Sequence, residues 1–467
     1  MLFNSLHFLF FFPIVCIVYF GIPSLKLRNL FLLTASYYFY MNWEPVYALL
    51  LFSSTLITWL ASIGIDKATK LSTKKRYLIA SLVLNLLVLF LFKYYNFAAD
   101  NMTILLEYWN LDIHIPEFRM LLPVGISFYI FQALGYSIDV FRGKTPAEYN
   151  FFTYALFVSF FPQLVAGPIE RSTNLLRQFK KKHNFDYDQF MSGICLMLWG
   201  YFLKLVVADR CGIYVDSIFN NVHHHNGGSF LIASILFPFQ IYGDFAGYSL
   251  TAIGAAKIMG FNLMMNFQRP YFAVTITDFW HRWHISLSTW FKDYVYIPLG
   301  GNRVGTIRNY FNIMSTFVIS GIWHGANWTF IIWGTIHGAL QCFEKFLGWN
   351  KRQWSRLGRF VHWAITFVIV AFAWIFFRAN NINDTISIFD KIFTNIGMPK
   401  IAYADFIAIG LALTIMFFKE VKDEFNLNIR ISNSSSWLNR HIYIVAISLF
   451  IILFGVLNGD QFIYFQF

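Results

Sequence analysis

Charge is what this chain has least of. Only 13% of its 467 residues are Asp, Glu, Lys or Arg, against about 25% in an ordinary soluble domain. From Tyr310 to Phe343 there is none at all. With 57% of the residues hydrophobic, this scarcity excludes a soluble globular protein and points to a polytopic membrane protein. Cysteine is also sparse. Cys16, Cys195, Cys211 and Cys342 are scattered without metal-ligand spacing, and they read as small membrane-embedded residues, not disulfide partners. No internal repeat, proline-rich linker or low-complexity tail divides the chain, so one integral domain is expected over 1–467. The first apolar stretch has no basic residue ahead of it and no small-residue cleavage site; Lys26 and Arg28 come after it. That pattern predicts a retained first helix with its N-terminus outside.

What the chain does have is apolar length. A bilayer-crossing helix needs roughly 20 mainly apolar residues. Candidate spans fall at 5–23, 29–43, 45–64, 77–94, 121–140, 150–166, 190–207, 229–248, 310–326, 328–343, 360–377, 402–418 and 441–458. The expected fold is all-α, with about 11–13 transmembrane or re-entrant helices, several of them near the lower length limit. The polar stretches 95–118 and 212–228 read as outer loops.

The formal net charge of +12 does not point to nucleic acid, because the basic residues gather in a few loops, as the positive-inside rule requires. Those loops hold Lys26 and Arg28; Lys67, Lys70, Lys74, Lys75 and Arg76; Arg142 and Lys144; Arg171, Arg177 and Lys180 to Lys182; Lys351, Arg352, Arg356 and Arg359; and Lys419, Lys422, Arg430 and Arg440. All face the cytoplasm if 150–166 enters and leaves on one side. Pro162, Gly167 and Pro168 favour such a broken segment, which membranes tolerate only under cover of protein or beside a water-filled cavity. Both chain ends then fall outside.

Two constellations carry candidate chemistry. The first runs Asp278-Phe279-Trp280-His281-Arg282-Trp283-His284-Ile285-Ser286-Leu287-Ser288-Thr289-Trp290 and on to Ile297-Pro298-Leu299-Gly300-Gly301-Asn302-Arg303. It lies in 266–309, the longest amphipathic stretch that does not span. Arg269, Arg282, Lys292, Arg303 and Arg308 alternate there with aromatics, which predicts an interfacial helix on the cytoplasmic side. In a helix, His281 and His284 share one face. The second constellation is Trp323-His324-Gly325-Ala326-Asn327-Trp328, at the turn between two short apolar legs. An ionisable group at membrane depth is a functional hypothesis by default, and His moves its proton most easily near neutral pH. A lone His in an apolar run is otherwise a packed structural residue, and His337 and His362 are read that way. His223, His224 and His225 lie in a polar stretch where no functional metal is expected. Asp244 is either a hydrogen-bond hub or a tunnel-lining group, and Glu170 and Arg171 cap or pair locally.

These segments, with Leu122-Pro123-Val124-Gly125-Ile126-Ser127-Phe128, Phe160-Phe161-Pro162-Gln163-Leu164-Val165-Ala166-Gly167-Pro168-Ile169 and Asp244-Phe245-Ala246-Gly247-Tyr248-Ser249, closely resemble the membrane-bound O-acyltransferase family, in its alginate O-acetylation branch. The resemblance implies a ring of helices around a central funnel or tunnel, with a catalytic core at about 120–345. It implies two active-site histidines, His284 and His324, the second being the catalytic one. Arg often stands at the position of His281, so His281 is not counted as catalytic.

Acyl transfer from a thioester to an alcohol needs a base to take the hydroxyl proton, and neutral imidazole does this well. Apolar surroundings keep an imidazole neutral. His324 is therefore the expected base, and His284, beside Arg282, the group that positions donor or polarises the thioester carbonyl. Trp323 belongs to the same element. Asn327 is a candidate to orient an imidazole or bind an oxyanion. Arg282, Lys292 and Arg303 would attract an anionic acyl donor, most simply acetyl-CoA acting as substrate; no cofactor or metal is expected.

The implied activity is O-acetylation of an extracytoplasmic polysaccharide, directly or through a partner acetyltransferase, in a bacterial inner membrane. D-alanyl transfer to teichoic acid from a carrier protein is the alternative within the family. A membrane di-iron oxygenase needs more histidine boxes than this chain has. A transporter without chemistry typically shows repeats between its halves, and none is visible.

Overall fold

The computed structural model describes residues 1–111, 113, 115–427, 437–457 and 462; Arg430 and the chain's C-terminal end lie outside them. The described residues are helical and contain no strand. They divide into two compact units, one of residues 1–193 with 255–264, the other of 194–254 with 265–467. Among the described residues, six helical stretches are long and apolar enough to cross a membrane.

The first unit starts with α1 (Leu6–Gly21), α2 (Leu25–Met41) and α3 (Tyr47–Lys67). Next comes α4 (Leu71–Leu89), which runs through a π-turn at Phe90–Tyr94 into α5 (Tyr95–Tyr108). Arg28 is no solvated loop charge. It is buried within α2, its guanidinium donating to the carbonyls of Ile22, Phe20 and His183. The expected loop at 95–118 is helical in its first half. Asn96, Asp100, Asn101 and Glu107 interrupt the apolar run, but an existing helix extends without new nucleation.

After α6 (Ile126–Phe141), the stretch expected to be broken is broken: α7 (Phe151–Ser159) stops at Phe160, and α8 (Phe161–Leu164) restarts with Pro162 in its first turn. Residues 154–170 are all buried, so protein covers the break. The Phe157 carbonyl freed there accepts from the amides of Gln132 (2.6 Å) and Gln163 (2.9 Å). Glu170 acts at longer range than expected. Its carboxylate accepts from the backbone N–H of Met264 (2.5 Å) and from Asn174 Nδ2 (2.7 Å), and burial pushes its pKa up to about 7.

The second unit is built from α9 (Tyr187–Tyr201), which passes through a π-turn at Phe202–Ala208 into α10 (Asp209–Phe219), and from the long α11 (Gly227–Ile258). The expected loop at 212–228 is therefore largely helix in its first part, again as an extension. Two short helices follow, α12 (Ile276–Arg282) and α13 (Ile285–Phe291), then α14 (Thr306–His324) and α15 (Trp328–Phe346). The remaining helices are α16 (Arg356–Arg378), α17 (Ile382–Thr394), α18 (Tyr403–Glu424) and α19 (Trp437–Phe454).

The pair α14–α15 is the hairpin predicted from the two short legs. Two glycines let its backbones touch. A Cβ on Gly321 would lie 2.4 Å from the Phe330 carbonyl oxygen, and one on Gly334 2.4 Å from that of Phe317. Small residues serve this purpose where membrane helices approach closely.

The stretch 266–309 departs from the single interfacial helix expected. It breaks between α12 and α13, and Phe279, Trp280, Trp283, Trp290 and Phe291 turn inward and are buried. His281 stays on the surface at the end of α12 while His284 is wholly buried, so the two do not share a face. The reason is local. His284 takes a left-handed conformation, φ +43°, which costs a non-glycine residue about 1–3 kcal/mol and persists only where surroundings impose it.

Candidate active site

Tertiary hydrogen bonds impose that conformation. The N–H of Ile285 donates to the Asn266 carbonyl (2.9 Å), and that of Gln268 to the Arg282 carbonyl (2.9 Å), so the incoming segment is laced to the break. The Asn266 side chain completes the clasp. Its Oδ1 lies 3.1 Å from His284 Nδ1 and accepts from the Ser286 backbone N–H (3.2 Å) and hydroxyl (3.0 Å). Asn266 is buried, and spacing gave no hint of it, since it lies eighteen residues before the histidine it holds.

His324 is the last residue of α14, and it too is buried. Its ring packs edge-on against Trp323 (4.9 Å between centroids), Trp333 (5.1 Å) and Phe377 (5.3 Å). Trp323 lies on the other side against His284, at 6.1 Å. The two motifs, forty residues apart in sequence, thus meet around one indole. The imidazoles lie no farther apart than those two separations together. Phe245 (4.6 Å) and Phe267 (6.4 Å) complete the aromatic wall at His284.

Glu344 ties the two motifs together, and it too was not singled out by sequence. From α15 its carboxylate accepts from the backbone N–H of Ile276 (2.5 Å) and Thr277 (3.0 Å) and from the Thr277 hydroxyl (2.9 Å). A carboxylate at a helix N-terminus satisfies open N–H groups and favours the dipole. It anchors α12, the element leading to His284, to the hairpin that carries His324.

The other sequence-derived candidates scatter. Asn327 is engaged in the turn. Its Oδ1 caps α15 by accepting from Thr329 N–H (3.0 Å), and its Nδ2 donates to the Asn380 carbonyl (2.8 Å). Arg282 is held by Asp278 (2.9 Å) and by Glu424 (3.0 Å), which also takes Arg269 (2.6 Å). Its charge is compensated inside the protein, which weakens it as an attractor of anions. Lys292 and Arg303 are exposed. Asp244 is a charged hub: buried in α11, it lies 2.7 Å from Lys204 Nζ, which also meets Asp209 at 2.7 Å. His337 is buried in the same aromatic packing, its Nδ1 accepting from Trp280 Nε1 at 3.3 Å.

The membrane-bound O-acyltransferase family matches residues 36–383, which include both histidine motifs and every residue of this site except Glu424. The chain belongs to that family. This acyltransferase is 38% identical to the probable alginate O-acetylase AlgI of Pseudomonas putida, over 84% of its own length and 80% of the relative's. It is 34% identical to the peptidoglycan O-acetyltransferase of Helicobacter pylori, over 83% of the chain and 79% of the relative. A more distant likeness, 28% over 56% of the chain and 70% of the relative, is to the teichoic acid D-alanyltransferase of Bacillus subtilis. The protein is thus a multi-pass membrane O-acyltransferase.

Two buried imidazoles in an aromatic enclosure suit acyl transfer. An enclosure of this kind excludes bulk water, a competing nucleophile in acyl transfer. Burial also pushes the His284 pKa down to about 3, so His284 is neutral at physiological pH.

Proposed function

We propose that the protein moves an acetyl group from cytoplasmic acetyl-CoA to an extracytoplasmic polysaccharide, or to a partner acetyltransferase that completes the transfer, in a bacterial inner membrane. The observation that carries this reading is the meeting of His284 and His324 around Trp323. His324 acts as general base on the attacking hydroxyl, and His284 positions the donor. Lys292 and Arg303, exposed on the basic segment, draw in the anionic donor. The O-acetylases among the relatives support acetyl as the group carried, since they match over more of the chain than the D-alanyltransferase does.

Membranes containing the protein are expected to consume labelled acetyl-CoA, and surface glycan from cells that make it should carry more O-acetyl than glycan from cells that lack it. No difference in any glycan would sink the reading. A strict requirement for an acylated carrier protein would favour D-alanyl transfer.

The same reading places 266–309 on the cytoplasmic face and both chain ends outside. A cysteine introduced at Arg303 should then resist a membrane-impermeant thiol reagent added to intact cells and react once the membrane is opened. Strong labelling of intact cells at that site would reverse the assignment.

A further inference from the structure

The contacts of Asn266 fix more than a backbone bend. The Ser286 backbone N–H is an obligate donor, so the Asn266 atom it meets at 3.2 Å is the oxygen. That same oxygen lies 3.1 Å from His284 Nδ1. An amide oxygen only accepts, so the imidazole nitrogen facing it carries the proton. A neutral imidazole has one N–H and one lone pair, and the lone pair is therefore on Nε2.

We infer that Asn266 is a positioning residue of the acyl-transfer site, holding His284 in its Nδ1–H form so that Nε2 offers a hydrogen-bond acceptor to bound substrate. This rests on the acetyl-transfer reading above and decides between the two tasks considered for His284. A lone pair on Nε2 does not polarise a thioester carbonyl, which needs an N–H. It takes a hydrogen bond from an N–H or O–H group of a substrate. Ser286 supports the arrangement, since its hydroxyl and backbone N–H both hold the Asn266 oxygen toward the ring.

The contact with the Asn266 oxygen, itself held by the Ser286 N–H, is what sets the tautomer of His284, and aromatic rings pack around it. Phe245 faces it from α11, Phe267 from the incoming segment and Trp323 from α14, with His324 on the far side of that indole. Of the charged groups nearby in sequence, Asp244 is paired with Lys204, and Arg282 with both Asp278 and Glu424. Among the described residues, burial is the cause that keeps the imidazole neutral.

Asn266→Asp tests this with a nearly isosteric side chain. Its carboxylate still accepts from Ser286 and from Nδ1–H, but it favours the imidazolium. The folded-state pKa of His284 rises. Below the new value both ring nitrogens carry protons, and Nε2 stops accepting. Acetyl transfer from labelled acetyl-CoA in detergent-purified protein should therefore fall on the acidic side, with the acid limb of N266D displaced to higher pH relative to the parent. Asn266→Ala should lower kcat about tenfold to a hundredfold through misplacement, with no displaced limb.

Coincident pH profiles for the parent and a folded N266D overturn the inference, as does parent-like activity in N266A. If N266A does not fold, the N266D profile still decides. A parent protein that does not use acetyl-CoA would sink the acetyl-transfer reading instead, and the parent arm of the same assay shows this separately.

Discussion

Replacing His324 with glutamine is expected to lower acyl transfer by about 10²–10⁴-fold, the usual cost of losing a general base, while the protein still inserts and folds. Glutamine keeps much of the size and hydrogen-bonding capacity of the imidazole but takes no proton. Among the described residues, the rings that wall it, Trp323, Trp333 and Phe377, are not bases. His324→Ala should be at least as inactive. His284→Ala should be severe mainly through weakened donor binding, and His281→Arg close to neutral, because His281 lies on the surface. The measurement is acetyl transfer in membranes at matched protein levels. Near-normal turnover in the glutamine variant would leave His324 a structural residue.

Lys204→Met is expected to cost stability on a comparable scale. The ammonium is shared by Asp209 and Asp244, each 2.7 Å away, and all three side chains are at least nine-tenths buried. Removing it takes from two buried carboxylates the ammonium they share. Breaking a buried pair from one side typically costs about 3–5 kcal/mol. Purified K204M should melt well below the parent, and neutralising the carboxylates as well, in K204M/D209N/D244N, should recover part of the loss. A melting midpoint within about 2 °C of the parent for K204M would show that the triad contributes little, since even 1 kcal/mol moves a domain of moderate size by that much.

Much of the fold was legible because membrane helices advertise themselves by apolar length. Each of the thirteen expected spans overlaps helix, and the break in 150–166 was signalled by Pro162, Gly167 and Pro168. The misses share a cause. The helices at 95–108 and 209–219 carry enough polar residues to read as loops, yet each continues a preceding helix through a π-turn. Arg28 counted as a loop charge because nothing in its neighbours announces the three carbonyls that bury it.

The site divides in the same way. A charge-free run singles out His324, since an imidazole there carries a cost that calls for a reason, while His284 was picked out by the resemblance of its Trp-His motif to the family pattern. The sequence by itself determined the membrane class and the helical architecture, because burial in lipid is written in composition and length. Tertiary structure alone decided the surroundings of the two histidines. It broke the helix at His284 and engaged Arg282 and Asn327 in internal contacts. It also brought in Glu344 and Asn266 from outside both motifs. Hydrogen bonds of this kind depend on where distant backbone N–H groups and side chains come to rest in space, and residue spacing along the chain does not encode that.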